Sequence, residues 1–458
     1  FRLINYLYFQ DVTVVCAMSS SFEDQVALVC YEAYKKLGKK GKPESGREWT
    51  KMSSVVQTNA DGELKVISIA TGTKCIGKNM RTRTGYILND SHAEVLARRL
   101  LLKYFYQQLE ASLLNSDKSI FTCSGVETRS FELKDDIKFH LFSTDIPCGD
   151  AAIFFQNSKK RKCEYTDDNT NSHKKKKDEI VPCTDSCDSN FDAKCTAKMC
   201  KQYKTCDILS EPTQFMKERC VTELDINRTG AKCVPSGNQD LMLPGINYHV
   251  VSALRIKPGR GDQTVSMSCS DKIMKWCVLG LQGGVLKNFI QKSIFLSSII
   301  IANVQFDIAA IKRSLSLRNR ENIENLAIHV PEILHTTYLF EHRKEAVKCK
   351  TNTGKITPSG TAILWCQICN IHEVSANGRL HGTTKKDFNT SKIRTSVCKS
   401  SLFEDFKRLS SKLSISGIEH INYYDAKHRL ESYENLRKSF FKVFPDWITK
   451  SKELEEFQ

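Results

Sequence analysis

Apolar and polar positions recur along this chain with two periods, and the switches between them mark its elements. Residues 22–37, FEDQVALVCYEAYKKL, carry apolar side chains at helical spacing and are closed by the Gly/Lys/Pro cluster at 38–43, so they predict an amphipathic helix. SSVVQT (53–58) and LKVISIATGT (64–73) read as strands either side of NADG, a hairpin signal. In NDSHAEVLARRLLLKYF (89–105), Ala93, Leu96, Leu100, Leu101 and Tyr104 form one apolar stripe and predict a second helix. KFHLFSTDIPCGDAAIF (138–154) opens with strand alternation, and DIPCGD is where the strand stops and a helix can begin. The longest strongly apolar run, IFLSSIIIANV (294–304), is too short to span a bilayer and reads as a buried strand or helix. SALRIKPGRGDQT (252–264) is a strand entering a Gly-rich basic turn, and YYDAKHRLESYENLRKSFFKVFPDWITK (423–450) has helical periodicity.

Between these patterned stretches the character changes. KKRKCEYTDDNTNSHKKKKDE is charged, polar and nearly free of apolar residues, and residues 157–245 are expected to be a solvated, largely disordered, Cys-rich insertion. It would interrupt one folded domain whose first part is 18–156 and whose second is 246–458. Residues 1–17 have no basic region ahead of an apolar core, so they predict no signal peptide. We expect Met18 to be the natural start and 1–17 a non-native extension. The basic clusters at 159–162 and 174–177 fit a two-part nuclear import signal as well as a flexible loop that holds nucleic acid, so residence in the nucleus, the cytoplasm or both is expected.

Composition narrows the class. The chain has 458 residues, and 40% apolar with 9% aromatic content predicts a globular core, not a disordered chain. A net charge of +16 attracts polyanions, RNA among them, and nothing in the pattern predicts a membrane span. Nineteen cysteines without a leader point to free thiols or metal ligation in a reducing compartment.

The candidate chemistry begins at the start of the second helix. Ser91 and Glu94 have capping-box spacing, so Glu94 on its own fits a helix cap. His92 and Glu94 also fit the H-x-E half of a zinc deaminase signature, whose other half is P-C-x-x-C. Pro147–Cys148 follows at the right distance, but Ala151 stands where the second cysteine belongs. Two ligands hold zinc poorly and catalytic sites use three, so the best third candidate is Cys269 in SCSDK, beyond the insertion.

NDSHAE, PCGDA and MSCSDKIMKW in this order resemble the RNA-editing adenosine deaminases. No double-stranded-RNA-binding module precedes these motifs, which points to the tRNA-acting branch. The resemblance implies a cytidine-deaminase-like three-layer α/β/α sandwich with a C-terminal helical extension enclosing a buried inositol polyphosphate. It implies zinc held by His92, Cys148 and Cys269 with one position open to water, and Glu94 as the proton shuttle. It implies conversion of adenosine to inosine just 3′ of the anticodon of alanine tRNA, with no obligate protein partner.

The same resemblance assigns two further sets. Inositol hexakisphosphate would be held by Asn89, Arg98 and Arg99, then by Lys272, Lys275, Trp276 and Gln282. Lys399, Tyr423, Lys427, Tyr433, Arg437, Trp447 and Lys450 would complete its cage, although 424–438 alone fits a solvated basic helix. Thr73, Lys74, Lys257, Arg260 and Asp262 would meet the RNA, Asp262 standing where the editors of double-stranded RNA intercalate a longer glutamate. An ordinary turn is the rival reading of PGRGD. An editor of double-stranded RNA and a catalytically silent RNA-binding paralogue are the rival functions; Glu94 and all three metal candidates, present together, speak against the second.

Overall fold

The structure is a computed structural model that describes residues 20–114, 118–123, 130–157, 224–259, 261–318, 326–351, 354–418 and 420–458. The expected N-terminal extension, the two basic clusters and Arg260 lie outside the described residues.

Eight strands form the central sheet: β1 (Met52–Thr58), β2 (Leu64–Thr71), β3 (Lys138–Ser143), β4 (Ser298–Ile301), β5 (Glu332–His335), β6 (Thr361–Cys366), β7 (Ile371–Ala376) and β8 (Arg379–Leu380). Their order is β5-β4-β3-β1-β2-β6-β7-β8. The β3–β4 and β4–β5 pairs are parallel and the remaining neighbours antiparallel, so the sheet is mixed. The β1–β2 hairpin turns at 59–62 as the pattern predicts, with Gly62 N–H donating to Asn59 O.

Strand alternation builds two cores. Helix α1 (Phe22–Lys36) lays Val26, Ala27 and Cys30 on one face of the sheet, against Phe142, Ile300 and Ile363. The next residue along those strands, Leu141, Ile299, Ile301 or Leu364, points to the other face. There it meets α2 (Ala93–Leu113), α3 (Cys269–Leu279) and α4 (Lys399–Lys412), giving three layers, helix on sheet on helix. The C-terminal pattern resolves into two helices, α5 (Tyr423–His428) and α6 (Glu431–Val443), packed on the α3 side.

Two expectations need correction. Residues 225–245 belong to the same compact unit as the sheet and carry a short strand, Lys232–Cys233, paired with Arg255–Ile256, so the folded part resumes well before 246. DIPCGD starts no α-helix: only a single 3-10 turn, Asp150–Ala152, follows. Gly149 sits at φ 109°, outside the helical region, and breaks any continuous helix there.

Candidate active site

Three separate segments meet at the N-terminal ends of α2 and α3. His92 occupies the cap position of α2, and its Nδ1 stands 2.8 Å from Asp90 Oδ1, which also accepts from the His92 backbone N–H at 3.0 Å. A carboxylate beside Nδ1 fixes the proton there and leaves Nε2 with a free lone pair, the form that binds a metal. The capping box expected from Ser91 and Glu94 is not formed, because the helix begins one residue later and has no side-chain cap. Glu94 is instead buried, and its Oε2 has no hydrogen-bond partner among the described residues. An orphaned buried carboxylate oxygen is costly and calls for a partner that the described residues do not supply.

Cys148 lies on the loop after β3, not at a helix start. Cys269 opens α3, where Ser268 caps the helix by accepting from Asp271 N–H at 3.2 Å. The Cys269 N–H donates to Cys148 Sγ at 3.4 Å across 121 residues of sequence, and Ser270 N–H donates to Cys148 O at 3.0 Å. A Cβ on Gly149 would fall 2.2 Å from Ser268 Oγ, so only glycine lets the two loops approach this closely. The hydrogen bond from Cys269 pulls the Cys148 thiol down to about 6 against its burial, with Lys257 and His92 assisting. Burial and the same hydrogen bond push the Cys269 thiol up.

The donors suit zinc: one imidazole and two cysteine sulfurs, beside a buried carboxylate with one oxygen lacking a hydrogen-bond partner among the described residues. Among the described residues no group of three or more His, Cys, Asp or Glu side chains is closed around a metal-sized point. The two thiols satisfy one another by hydrogen bonding, so the ligand candidates are neighbours without forming a finished cage.

Thr73 pairs with His92, and Lys74 with Ser91, across a short ladder that leads into α2. Thr73 Oγ1 is buried without a partner among the described residues. Two other expected RNA contacts have different neighbours. Lys257 is buried and pairs with Asp90. Asp262 accepts from the Asn79 backbone N–H at 2.8 Å and from its Nδ2 at 3.3 Å, which ties the 258–263 turn to the 78–80 turn.

Behind the site lies a cavity of about 560 Å³. All fourteen residues expected to hold the polyphosphate line it, drawn from α2, α3 and the C-terminal region. Arg81, Asp90 and Glu455 line it too, and spacing gave no sign of them. Nine Lys and Arg side chains face three carboxylates, and the excess of cations is poorly compensated. Burial pushes Lys275 and Lys450 well below the usual lysine range, with neighbouring cations adding to the effect. Burial also takes Lys399 down to about 8, although Glu455 opposes it, and Arg98 down to about 10. Keeping such a cluster fully charged is costly unless anions stand among the cations. Lys272 belongs to this wall and pairs with Asp90, so one carboxylate joins the cavity to His92.

A zinc-type donor set under a mixed α/β sandwich defines a nucleobase-deaminase site. Residues 68–451 match the adenosine-deaminase (editase) domain, and the chain belongs to that family; it is a deaminase acting on a C–N bond. It is 33% identical to the tRNA-specific adenosine deaminase 1 of Macaca fascicularis, over 95% of this chain and 99% of that protein. Its Drosophila melanogaster counterpart is 28% identical over 94% of this chain. The double-stranded RNA-specific adenosine deaminase of Mus musculus is 24% identical over 96% of this chain but only 33% of its own length.

Proposed function

We propose that the chain hydrolyses adenosine to inosine in tRNA, at the position just 3′ of the anticodon of alanine tRNA, in a zinc-dependent reaction. The observation that carries this is the buried Glu94 Oε2, which has no hydrogen-bond partner among the described residues, near Cys148, Cys269 and His92. The near-complete coverage of the tRNA-specific relatives supports tRNA over a duplex substrate. So does Asp262, whose carboxylate is engaged by Asn79 and is short for duplex intercalation.

His92 Nε2 and the two sulfurs would hold the metal. Bound zinc lowers the pKa of a water to about 7 and so supplies a nucleophile at neutral pH. Glu94 would take one proton from the attacking water and pass it to the adenine ring nitrogen as C6 is attacked; it would then take the remaining proton from the new C6 hydroxyl and deliver it to the departing ammonia. Asp90 holds His92 in the binding tautomer. Thr73, paired with His92, would meet the substrate ribose, and a base in an anticodon loop would reach the pocket with little unstacking. The cationic cavity would hold inositol hexakisphosphate as part of the fold.

Incubating the purified chain with total tRNA and sequencing for inosine tests this. Inosine beside the alanine anticodon supports the proposal. Inosine confined to added double-stranded RNA would move the assignment to the rival substrate.

A further inference from the structure

The two cysteines of the site come from a loop (Cys148) and the first turn of α3 (Cys269), which no continuous element joins. Two residues past each stands a fully buried aspartate, Asp150 after Cys148 and Asp271 after Cys269. Arg318 follows the helical stretch at 308–317, and its side chain is 1% exposed. Its Nη1 donates to Asp271 Oδ1, its Nη2 reaches Ser270 Oγ at 3.4 Å, and its Nε lies 3.6 Å from Asp150 Oδ2. One buried guanidinium therefore touches both segments.

Resting on the zinc-site proposal above, we infer that Arg318 is a positioning residue that sets the spacing of the Cys148 and Cys269 sulfurs by clamping the aspartate beyond each. It reaches neither the thiols nor the substrate pocket. Each carboxylate also has contacts that anchor it to its own surroundings. Asp150 Oδ1 accepts from Ser252 N–H at 2.7 Å, and Asp271 Oδ2 accepts from Ser268 Oγ at 2.6 Å. Arg313 holds Asp150 from its outer side at 3.2 Å but makes no bond to the Cys269 segment. Arg318 alone links the two carboxylates, among the described residues. Arg318 hydrogen-bonds Asp271 and meets Asp150 as an ion pair through Nε, which has no hydrogen-bond partner among the described residues. A planar guanidinium can face both carboxylates at once, whereas an ammonium serves as a point charge. Removing the guanidinium leaves Asp150 to Arg313 and Asp271 without a cationic partner among the described residues; the link between the two segments is lost, and the gap between the sulfurs would widen.

The test uses the full chain and three readouts: zinc per chain, the rate of zinc transfer to a chelator, and the visible spectrum of the Co(II)-substituted protein. Far-UV circular dichroism checks folding. Arg318→Met is expected to lose zinc about ten-fold faster than wild type, in line with other residues that orient metal ligands, and to alter the Co(II) bands. Arg318→Lys keeps the charge and is expected to fall between the two; it carries the test where the Met variant does not fold. A purely structural role would lower the melting temperature and leave the Co(II) spectrum of the folded protein unchanged. A zinc-loaded wild type matched by both variants in chelator rate and spectrum overturns the inference and leaves the zinc proposal standing. A wild type without zinc overturns both.

Discussion

Asp90 Oδ1 stands 2.8 Å from His92 Nδ1, while the other oxygen of the same carboxylate meets Lys272 in the wall of the cationic cavity. Burial alone would raise the Asp90 carboxyl, yet Lys257, Lys272 and His92 hold it well below the usual range. It is therefore an anion throughout the physiological range, and it couples the state of the cavity to the orientation of the imidazole. Asp90→Asn should lower turnover by about 10–100-fold through the loss of that orientation. It should also destabilise the fold by about 3–5 kcal/mol, because the buried Lys257 ammonium loses its counter-ion. Deaminase kinetics and urea unfolding check the two effects separately; unchanged turnover would remove Asp90 from the site.

Glu94→Gln separates chemistry from structure. Glu94 Oε2 has no partner to lose, so the melting temperature should change little. Turnover should fall by about 10²–10⁴-fold or more, because an amide cannot carry the proton. Zinc content and tRNA affinity should persist, and surviving activity would reassign the shuttle.

Gly149→Ala probes the approach of the cysteine loops. The position has φ 109°, and an added Cβ would sit 2.2 Å from Ser268 Oγ. Backbone strain of this kind costs about 1–3 kcal/mol, and relief by separating the loops should speed zinc loss to a chelator. A variant with wild-type melting and chelator rate would contradict the close packing described here.

The cavity makes a prediction about pH. Burial chiefly, helped by Lys427, lowers Lys399 from 10.5 to about 8 in the folded chain. Between those values the unfolded chain binds the proton and the folded chain does not. Stability of the polyanion-free protein should therefore rise with pH across this window, the cost of the buried charge being fully present below about 8. Lys275 and Lys450 shift the same way and reinforce the trend. Bound inositol hexakisphosphate would hold these groups protonated, raising the melting temperature near pH 7 and abolishing the rise. Melting curves from pH 7 to 10, with and without it, distinguish the cases; identical profiles would argue against a polyanion site.

Local patterns made much of the fold legible. The helix at 22–36, the hairpin across 59–62 and α2 announce themselves through periodicity and turn residues. DIPCGD misled because its composition suits a helix start, while the positive φ of Gly149 is set by packing against Ser268. The cavity was readable only through resemblance, since basic residues at helical spacing look alike whether solvated or buried. Arg81, Glu455 and Arg318 escaped for the same reason: their partners are fixed by tertiary contacts between distant segments. Lys257 and Asp262 sit in the expected turn region, but one partner stands before α2 and the other in the 78–80 turn, where sequence spacing gives no hint.

X-ray absorption at the zinc edge of the purified chain tests the centre most directly. The arrangement of His92, Cys148 and Cys269 predicts one zinc per chain, with two sulfur ligands at about 2.3 Å and nitrogen or oxygen ligands at about 2.0–2.1 Å. A four-sulfur shell, or no zinc in an active preparation, would contradict it.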